Sequence, residues 1–334
     1  MTSDKTKTIV SGMRPTGALH LGHYHGVIAN WVQLQNDPSY AKKYFFVADW
    51  HALTTEYANT QALKGYIEDI VLDWLAFGVD PEKAIIFVQS AVPEHAELQL
   101  LLSMITPVAW LERVPSYKDL QQELSSKDLS TYGFLGYPLL QTADVAIYHG
   151  THVPVGQDQV AHIELSREIV RRFNFIYQTD TLKEPQPLLT QTPKLPGTDG
   201  RKMSKSYNNG VFLSESAATA GKKILTAMTD PARVRRNDPG NPELCPVFDY
   251  HKVYSQKAVQ DEVAASCRSA GIGCVDCKKK LITAMDETLA PMRDKREELE
   301  GNRAFLKDVI AAGNNAARKA AAHTLTRIRD VVGI

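Results

Sequence analysis

The stretch Gly17-Ala-Leu-His-Leu-Gly-His-Tyr-His-Gly26 decides how the rest of the chain is interpreted. It follows an apolar run, Thr8-Ile9-Val10, that predicts a strand, and it leads into a segment, Gly26 to Leu34, whose apolar spacing predicts a helix. His20 and His23 are thereby placed at a strand-to-helix junction, where they share a face if the helix has begun. Free backbone N–H groups and paired imidazoles suit a phosphate group. The alternative is a single packed core histidine with capping glycines.

A second cationic segment lies far downstream, at Asp199-Gly-Arg-Lys-Met-Ser-Lys-Ser-Tyr207. Lys202 and Lys205 are two ammonium groups in a region rich in proline and glycine, which predicts a mobile loop. Mobile cations suit a polyphosphate that must be bound and released. Taken alone, such a loop is more often a solvated surface turn.

Together, the two segments resemble the paired signatures of class I aminoacyl-tRNA synthetases. Ser11-Gly-Met-Arg-Pro-Thr-Gly-Ala-Leu-His-Leu-Gly-His23 is similar to the first signature of the tryptophanyl and tyrosyl branch, and Lys202-Met-Ser-Lys-Ser206 is identical to the second. The resemblance implies catalytic roles for His20, His23, Lys202 and Lys205, with ATP and Mg²⁺ at the site. The implied ATP contacts are Arg14, Pro15, Thr16, Gly22, His23, Gly156, Gln157, Asp158, Leu195, Lys202, Met203, Ser204, Lys205 and Ser206.

Alternating strand and helix patterns in the first half predict an α/β fold, a Rossmann-like doubly wound parallel sheet. Tyr44 to Ala48 and Ala84 to Val88 are predicted as buried strands, with a helix over Gln61 to Phe77 between them. Such sheets bind ligands at the carboxyl ends of their strands. Asp49-Trp-His51 falls at such an end and resembles a motif that borders the amino-acid pocket in this branch. A capping aspartate beside a packed histidine is the alternative.

Two more helices are predicted, over Glu94 to Ile105 and Val108 to Leu120. In the family, the region after the third strand is a short connecting insertion that forms a dimer interface. The resemblance therefore places this insertion at residues 107–140 and implies a homodimer. This insertion is too short to contain a hydrolytic editing domain. Editing is not needed when the side chain of the substrate has a polar group, because a wrong amino acid leaves the buried protein partner of that group unpaired.

The helix predicted from Tyr137 to Tyr148 carries Tyr137, Gln141 and Asp144 on one face. A buried carboxylate needs a partner, and Asp144 fits a cap or an ion pair as well as a ligand site. Tyr137-Pro-Leu-Leu-Gln-Thr-Ala-Asp144 resembles tryptophanyl enzymes, in which the aspartate accepts the indole N–H, a donor-only group, and the tyrosine helps orient the ammonium. Gln141 departs from the methionine that many members carry. The implied tryptophan contacts are Gly12, Tyr137, Gln141, Asp144, Val153, Val155 and Gln159.

The segment after this helix predicts a strand at Val153 to Val155 and a helix that continues to about Phe173. Gly156 lets a ligand approach the backbone, and Asp158 taken alone is most often a helix N-cap. The Gly-x-Asp-Gln match implies ribose contacts through Gly156 and Asp158, and it implies that Gln159 reaches the amino-acid ammonium. Leu195 is implied as an adenine contact.

The chain after Tyr207 loses the strand–helix alternation, which divides it into residues 1–210 and a helical domain of residues 211–334. In the family this second domain contacts the anticodon. Basic segments at Asp230 to Arg236 and Lys278 to Lys280 suit RNA phosphate, or a solvated face. The predicted helices are Ser216 to Met228, Lys279 to Leu299, Arg303 to Ala312 and Ala316 to Val332.

All four cysteines of the chain lie in this second domain, at Cys245, Cys267, Cys274 and Cys277. The C-x2-C pair, placed in a glycine-rich turn, points to a metal rather than to disulfides in a cytosolic protein. Four thiolates suit tetrahedral zinc or an iron–sulfur cluster, and zinc is the commoner occupant. A subset of tryptophanyl enzymes has a nearly identical quartet that binds a [4Fe–4S] cluster, so the resemblance implies the cluster, with Zn²⁺ as the alternative.

The bulk properties set limits on partners. The 334 residues include 38 Lys and Arg against 38 Asp and Glu, so tRNA has to be met by local basic patches. A polar N-terminus and no long apolar run predict a cytoplasmic chain without a membrane span. The resemblance implies activation of L-tryptophan with ATP and its transfer to tRNA(Trp). A tyrosine-specific sister enzyme, a small nucleotidyltransferase and an RNA-binding module are the alternatives.

Overall fold

The computed structural model describes residues 7–114, 129–190 and 195–334. Five parallel strands form one sheet in the order β3-β2-β1-β4-β5, which confirms the predicted Rossmann-like α/β fold. The direction of winding reverses at β1, which opens a crevice between the carboxyl ends of β1 and β4. The strands are β1 (Thr8–Met13), β2 (Lys42–Val47), β3 (Ile85–Val88), β4 (His152–Val155) and β5 (Gln186–Leu189).

Helices cover both faces of the sheet and form the region after it. In chain order they are α1 (Leu21–His23), α2 (Ala29–Gln35), α3 (Asp49–Glu56), α4 (Leu63–Ala76), α5 (Glu94–Ser103), α6 (Val108–Glu112), α7 (Tyr132–Leu135), α8 (Tyr137–Ala146), α9 (Val160–Ile176), α10 (Ala217–Thr226), α11 (Pro246–Tyr254), α12 (Lys257–Arg268), α13 (Cys274–Gly301) and α14 (Arg303–Val332). A π-helical turn, Tyr24–Ile28, joins α1 to α2.

Alternate residues of the strands enter two separate cores, because successive side chains point to opposite faces of a sheet. On one face, Phe45 stacks on Trp31 with ring centroids 4.4 Å apart. On the other face, Phe46 and Phe87 pack against helices α5, α8 and α9. Burial on both faces explains why these strands are apolar without alternation.

Several predicted boundaries in the second half are wrong. Arg303 to Val332 is one helix, where two were predicted, Arg303 to Ala312 and Ala316 to Val332. The helix predicted from Lys279 begins at Cys274, so the C-x2-C pair lies in a helical first turn. Strand β5 and helices α11 and α12 were not predicted. Residues 115–120 of the helix predicted from Val108 lie outside the described residues.

The last helix closes the free edge of the sheet at β3. A Cβ on Gly313 would collide with the carbonyl oxygen of Ile86, so only glycine lets α14 approach this closely. Asn314 Oδ1 accepts the N–H of Val88 at 2.9 Å, which satisfies a donor that an edge strand leaves unpaired. The region after residue 210 is therefore in direct contact with the sheet, and its division from the first 210 residues as a domain stays a prediction. No helix in the described ranges is long and apolar enough to cross a membrane.

Candidate active site

A cavity of about 350 Å³ opens at the crevice between β1 and β4. Its wall combines apolar rings with a few convergent polar groups, the usual composition of a small-molecule site. The lining residues are Val10, Ser11, Gly12, Arg14, Phe46, Ala48, His51, Thr54, Thr55, Phe134, Tyr137, Gln141, Asp144, Val145, Val153, Gln159 and His162.

Six of the seven residues predicted to contact tryptophan line this cavity. Tyr137, Gln141 and Asp144 do so together, as their spacing on α8 predicted. Val155 does not line it and packs against the second core instead. The backbone of Gly12 lies against the ring of Phe46, where a Cβ would collide. The cavity wall therefore requires glycine at the end of β1.

Asp144 is 1% exposed and is held by three side chains from other parts of the chain. Gln89 Nε2 donates to both carboxylate oxygens, at 2.8 and 2.9 Å. His95 Nδ1 donates to Oδ1 at 2.6 Å, and His51 Nε2 donates to Oδ2 at 2.8 Å. A carboxylate offers about four acceptor positions, so these three donor groups leave room for one more donor.

This network keeps Asp144 ionised. Burial by itself raises the pKa of a carboxyl group, but the hydrogen bonds from His51 and His95 outweigh it and lower the pKa of Asp144 to about 2. The second ring nitrogen of His95 accepts from the Tyr148 hydroxyl at 2.7 Å, which fixes the tautomer that donates to Asp144. A rigid, permanently charged acceptor therefore stands at the inner end of the cavity.

Gln89 and His95 were not predicted as site residues. Both follow β3, and the rule that ligands meet the carboxyl ends of strands was a signal that pointed to them. Asp49 was predicted as a possible helix cap, and it does more than that. Its Oδ1 accepts hydrogen bonds from the backbone N–H of Trp50, in its own helix, and of Ser90, which follows β3. Asp49 therefore joins the end of β2 to the end of β3.

Arg14 lies at the mouth of the same cavity. Its Nη2 donates to Thr55 Oγ1, and its buried Nε has no hydrogen-bond partner among the described residues. Burial lowers the pKa of Arg14, with the charge of Glu56 acting in the opposite direction. The turn that positions it is closed by the N–H of Thr16 donating to the Arg14 carbonyl at 2.9 Å, and Pro15 within that turn is buried.

The rings of the two histidines of the first signature lie against each other, tilted by 35°. Their ring centroids are 3.8 Å apart, and the N–H of His20 donates to His23 Nδ1 at 3.1 Å. Burial and then the charge of Lys205 lower the pKa of His20 to about 4; burial, His20 and Lys205 lower the pKa of His23 to about 3. Both imidazoles are neutral at pH 7. His20 Nδ1 is buried and has no hydrogen-bond partner within the described chain.

The lysine loop lies beside these histidines. The segment that follows the loop pairs with the first signature: the N–H of Leu21 donates to the Val211 carbonyl, and the N–H of Leu213 donates to the Leu19 carbonyl, both at 2.9 Å. Lys205 Nζ lies 3.2 Å from the position that a Cβ on Gly17 would occupy. Burial lowers the pKa of Lys205 to about 8. Lys202, three residues earlier in the loop, has an exposed side chain.

Asn209 organises the lysine loop and was not predicted. It is 2% exposed, its Oδ1 accepts the N–H of Ser204 at 2.8 Å, and its Nδ2 donates to Asp199 at 2.7 Å and to the Lys202 carbonyl at 3.1 Å. One amide side chain thereby fixes the path of the backbone around both lysines. Met203 is buried, whereas Ser206 is exposed.

The predicted ribose segment lies at the carboxyl end of β4. A Cβ on Gly156 would lie 2.6 Å from Asp158 Oδ1, so a larger residue here would displace the Asp158 side chain. The N-cap reading of Asp158 is wrong, because its Oδ2 accepts from the Gln159 amide at 2.9 Å and makes no cap. Gln157 is exposed, and Leu195 is buried in the first core.

The four cysteines line one small cavity between α11 and α13. Cys245 is the N-cap of α11, and Cys274 and Cys277 lie in the first turn of α13. Burial raises the pKa of the Cys277 thiol to about 12 and raises that of Cys245. Within the described residues, no group of three or more Cys, His, Asp or Glu side chains is arranged around a single metal ion.

Two residues of the predicted RNA-binding segments point inward. Arg233 is buried, and its guanidinium donates to the carbonyls of Arg236 and Ile272 at 2.8 and 2.7 Å. Lys278 is buried and donates to the carbonyls of Leu225 and Ala227. Their segments were predicted to meet RNA phosphate or to form a solvated face, and these two side chains instead satisfy backbone acceptors.

A doubly wound sheet with neutral histidines at a helix start, a lysine loop beside them and an amino-acid-sized cavity at the switch point defines a nucleotide-dependent carboxylate-activating enzyme. Residues 2–290 match the family model of tRNA synthetases class I (W and Y). The chain belongs to this family.

Curated relatives agree along nearly the whole chain. A tryptophan–tRNA ligase of Thermotoga maritima is 52% identical and is aligned over 98% of this chain and 99% of its own length. The corresponding ligase of Ralstonia nicotianae is 43% identical, with 98% of each chain covered. Among solved structures, a Campylobacter jejuni tryptophanyl-tRNA synthetase complexed with ADP and tryptophan superposes with a TM-score of 0.88 at 30% identity, covering 98% of this chain and 100% of that one.

Proposed function

We propose that this protein is a tryptophan–tRNA ligase. It activates L-tryptophan with ATP to tryptophanyl-adenylate and pyrophosphate, and it then transfers the amino acid to the 3′ end of tRNA(Trp). The observation that carries the amino-acid specificity is the buried, ionised Asp144 at the inner end of an aromatic cavity. A carboxylate that is always an acceptor matches indole, whose N–H only donates.

Tryptophan enters this cavity with its ring inward. His51 is the partner of Asp144 nearest to solvent, with a side chain 12% exposed, so the indole N–H reaches Oδ2 beside it. Phe46, Phe134 and Val153 supply apolar contacts to the ring. Tyr137, Gln141 and Gln159, nearer the opening, take the ammonium group. The carboxylate of the substrate then faces the histidine and lysine segments.

ATP occupies the region between the first signature and the lysine loop. His20 and His23 donate as neutral imidazoles to the α-phosphate, and Lys202 and Lys205 bind the outgoing phosphates, with Mg²⁺ accompanying the nucleotide. Gly22 and the turn of Arg14, Pro15 and Thr16 let the backbone approach the nucleotide closely. Gly156, Gln157, Asp158, Leu195, Met203, Ser204 and Ser206 complete the proposed ATP contacts.

The first step is an in-line displacement. A carboxylate oxygen of tryptophan forms a bond to the α-phosphorus, and the bond from that phosphorus to the bridging oxygen breaks to release pyrophosphate. No proton has to move, so the enzyme contributes by positioning and by stabilising charge. In the second step a terminal ribose hydroxyl of tRNA attacks the acyl carbon and loses its proton, and AMP leaves.

We further propose that Cys245, Cys267, Cys274 and Cys277 would hold a [4Fe–4S] cluster, with Zn²⁺ as the alternative. The four thiols line one cavity. Among the described residues that line it, Asp230 is the one carboxylate. The raised pKa values of Cys245 and Cys277 mean that loading the site releases protons. Bound there, the cluster cross-links α11 to α13. Iron and acid-labile sulfide in equal amounts on the purified protein support the cluster, and zinc without sulfide contradicts it.

Assembly and tRNA binding complete the proposal. Leu100, Met104 and Val108 are 53%, 70% and 57% exposed along α5 and α6, next to the connecting insertion, which favours a homodimer through this face. Arg235, Arg236 and Lys279 are exposed near the cysteine cavity and are the cations available to tRNA(Trp). This distribution suits a neutral chain that binds RNA through local patches.

Amino-acid-dependent exchange of pyrophosphate into ATP tests the proposal. Tryptophan supports exchange, and tyrosine at the same concentration supports at least a hundredfold less. Exchange with tyrosine alone contradicts the tryptophan assignment. Binding of tRNA without exchange for any amino acid contradicts an enzymatic function.

A further inference from the structure

Helix α11 (Pro246–Tyr254) places two buried tyrosines on one face, four residues apart. Tyr250 is 1% exposed and Tyr254 is 8% exposed. Both hydroxyl groups leave the helix toward the nucleotide-binding half of the chain. Each one ends on a segment that the proposed function assigns to ATP.

Tyr254 contacts the first signature. Its hydroxyl lies 2.7 Å from Nε2 of His25, two residues beyond His23 in the π-helical turn. Burial lowers the pKa of His25 to about 4, so the ring is neutral and the bond joins two uncharged groups. A π-helical turn is a rare conformation that often marks a functional site. Here the hydroxyl group of Tyr254, from another helix, stabilises the turn through a hydrogen bond to His25.

Tyr250 contacts the base of the lysine loop. Its hydroxyl donates to the carbonyl of Pro196 at 2.6 Å. Pro196 forms an isolated bridge with Lys202, and the N–H of Gly197 donates to the Arg201 carbonyl at 2.6 Å. The tyrosine therefore fixes the point where the loop leaves the body of the protein.

We propose that Tyr250 and Tyr254 are positioning residues for adenylate formation, which hold the histidine segment and the lysine loop at a fixed separation. This inference rests on the proposed function, because it assigns these two segments to one nucleotide. Neither hydroxyl touches the amino-acid cavity. Their removal should therefore affect ATP use and leave tryptophan binding intact.

The variants Tyr250→Phe and Tyr254→Phe test the proposal because they keep the buried rings and remove only the hydroxyl groups. In tryptophan-dependent exchange, each variant should raise the KM for ATP or lower kcat by about 3- to 10-fold, the usual effect of one hydrogen bond. The KM for tryptophan should stay within twofold. The control Tyr40→Phe removes a hydroxyl from another tyrosine that is 9% exposed, remote from both ATP segments, and should change neither constant.

His25→Asn breaks the same contact from the other side. It should reproduce the ATP effect of Tyr254→Phe, and combining the two should add little more. Equal changes in both Michaelis constants, or a lower melting temperature with unchanged ATP kinetics, would overturn the positioning role. Direct titration with a non-hydrolysable ATP analogue separates the two hypotheses. If wild type shows no exchange, the proposed function fails. The positioning role fails if the tyrosine variants match wild type both in binding of the analogue and in kcat for exchange.

Discussion

The two ends of the candidate active site are built differently. At the amino-acid end, both oxygens of Asp144 accept hydrogen bonds from the protein, through His51, Gln89 and His95, and one acceptor position is left for a ligand. At the nucleotide end, Lys205 is partly buried without a nearby carboxylate, and His20 Nδ1 has no partner in the described chain. One end is held rigid by the protein before substrate arrives, and the other has a cation and a donor without an anionic partner among the described residues.

This difference teaches where specificity and catalysis reside. A satisfied, rigid network discriminates among amino acids, because a wrong side chain cannot repair the hydrogen bonds that it disturbs. In the proposed function, the unpaired donors of His20 and Lys205 favour the state with the most negative charge. That state is the pentavalent phosphorus with the departing pyrophosphate. Substitutions at the two ends should therefore alter different kinetic constants.

The largest effect is expected at the nucleotide end. Lys205→Ala removes a cation from the departing pyrophosphate and should lower kcat for exchange by about a hundred- to a thousandfold, as loss of one stabilising donor does in comparable sites. Steady-state exchange measures it. Lys222→Ala, an exposed lysine on α10, is the matched control and should keep wild-type activity. A decrease below tenfold for Lys205→Ala would remove that residue from the mechanism.

At the amino-acid end, Asp144→Asn keeps the shape of the side chain and removes its charge. A hydrogen bond to a charged group is worth about 1.5–3 kcal/mol, so the dissociation constant for tryptophan should rise about 10- to 150-fold. Equilibrium dialysis without ATP measures it. Asp180→Asn, whose carboxylate is 95% exposed, is the control. Unchanged tryptophan affinity would show that the indole N–H is bound elsewhere.

The pKa of Lys205 predicts a pH dependence confined to the nucleotide end. Because burial lowers this pKa to about 8, the ammonium form that binds phosphate is present below pH 8 and is lost as the pH rises above it. The KM for ATP should therefore rise up to tenfold per pH unit above 8, while Asp144, with a pKa of about 2, does not titrate in this range. Lys205→Arg should flatten the ATP profile to pH 9.5. A flat wild-type profile would contradict the shifted pKa.

The smallest effect is expected from helix α14, which packs against β3 behind the amino-acid end of the site. Asn314→Ala leaves the N–H of Val88 without its acceptor at the end of β3, just before Gln89, and should lower the free energy of unfolding by about 1–2 kcal/mol. Chemical denaturation measures it. Asn314→Asp keeps an acceptor and should lose less. A larger loss for the aspartate than for the alanine would show that the contact is not a hydrogen bond to β3.

Much of this site followed from local sequence. The histidine pair, the lysine loop and the polar face of α8 were predicted because each lies within one short segment with a recognisable spacing. Gln89, His95, Asn209 and Asn314 were not, because each acts on a residue that only the folded chain brings near. Arg233 and Lys278 were misassigned for the same reason: a basic run does not reveal which of its members turn inward to backbone carbonyls. The gap predicted between two helices at residues 313–315 is continuous helix, and Gly313 within it marks the contact of α14 with β3.

The most direct test compares wild type, Lys205→Ala and Asp144→Asn in tryptophan-dependent pyrophosphate exchange, with both Michaelis constants determined for each. The two-ended site predicts a crossed pattern. Lys205→Ala should change kcat and the KM for ATP with the KM for tryptophan within twofold, and Asp144→Asn should change the KM for tryptophan with that for ATP within twofold. Parallel changes of both constants in both variants would contradict it.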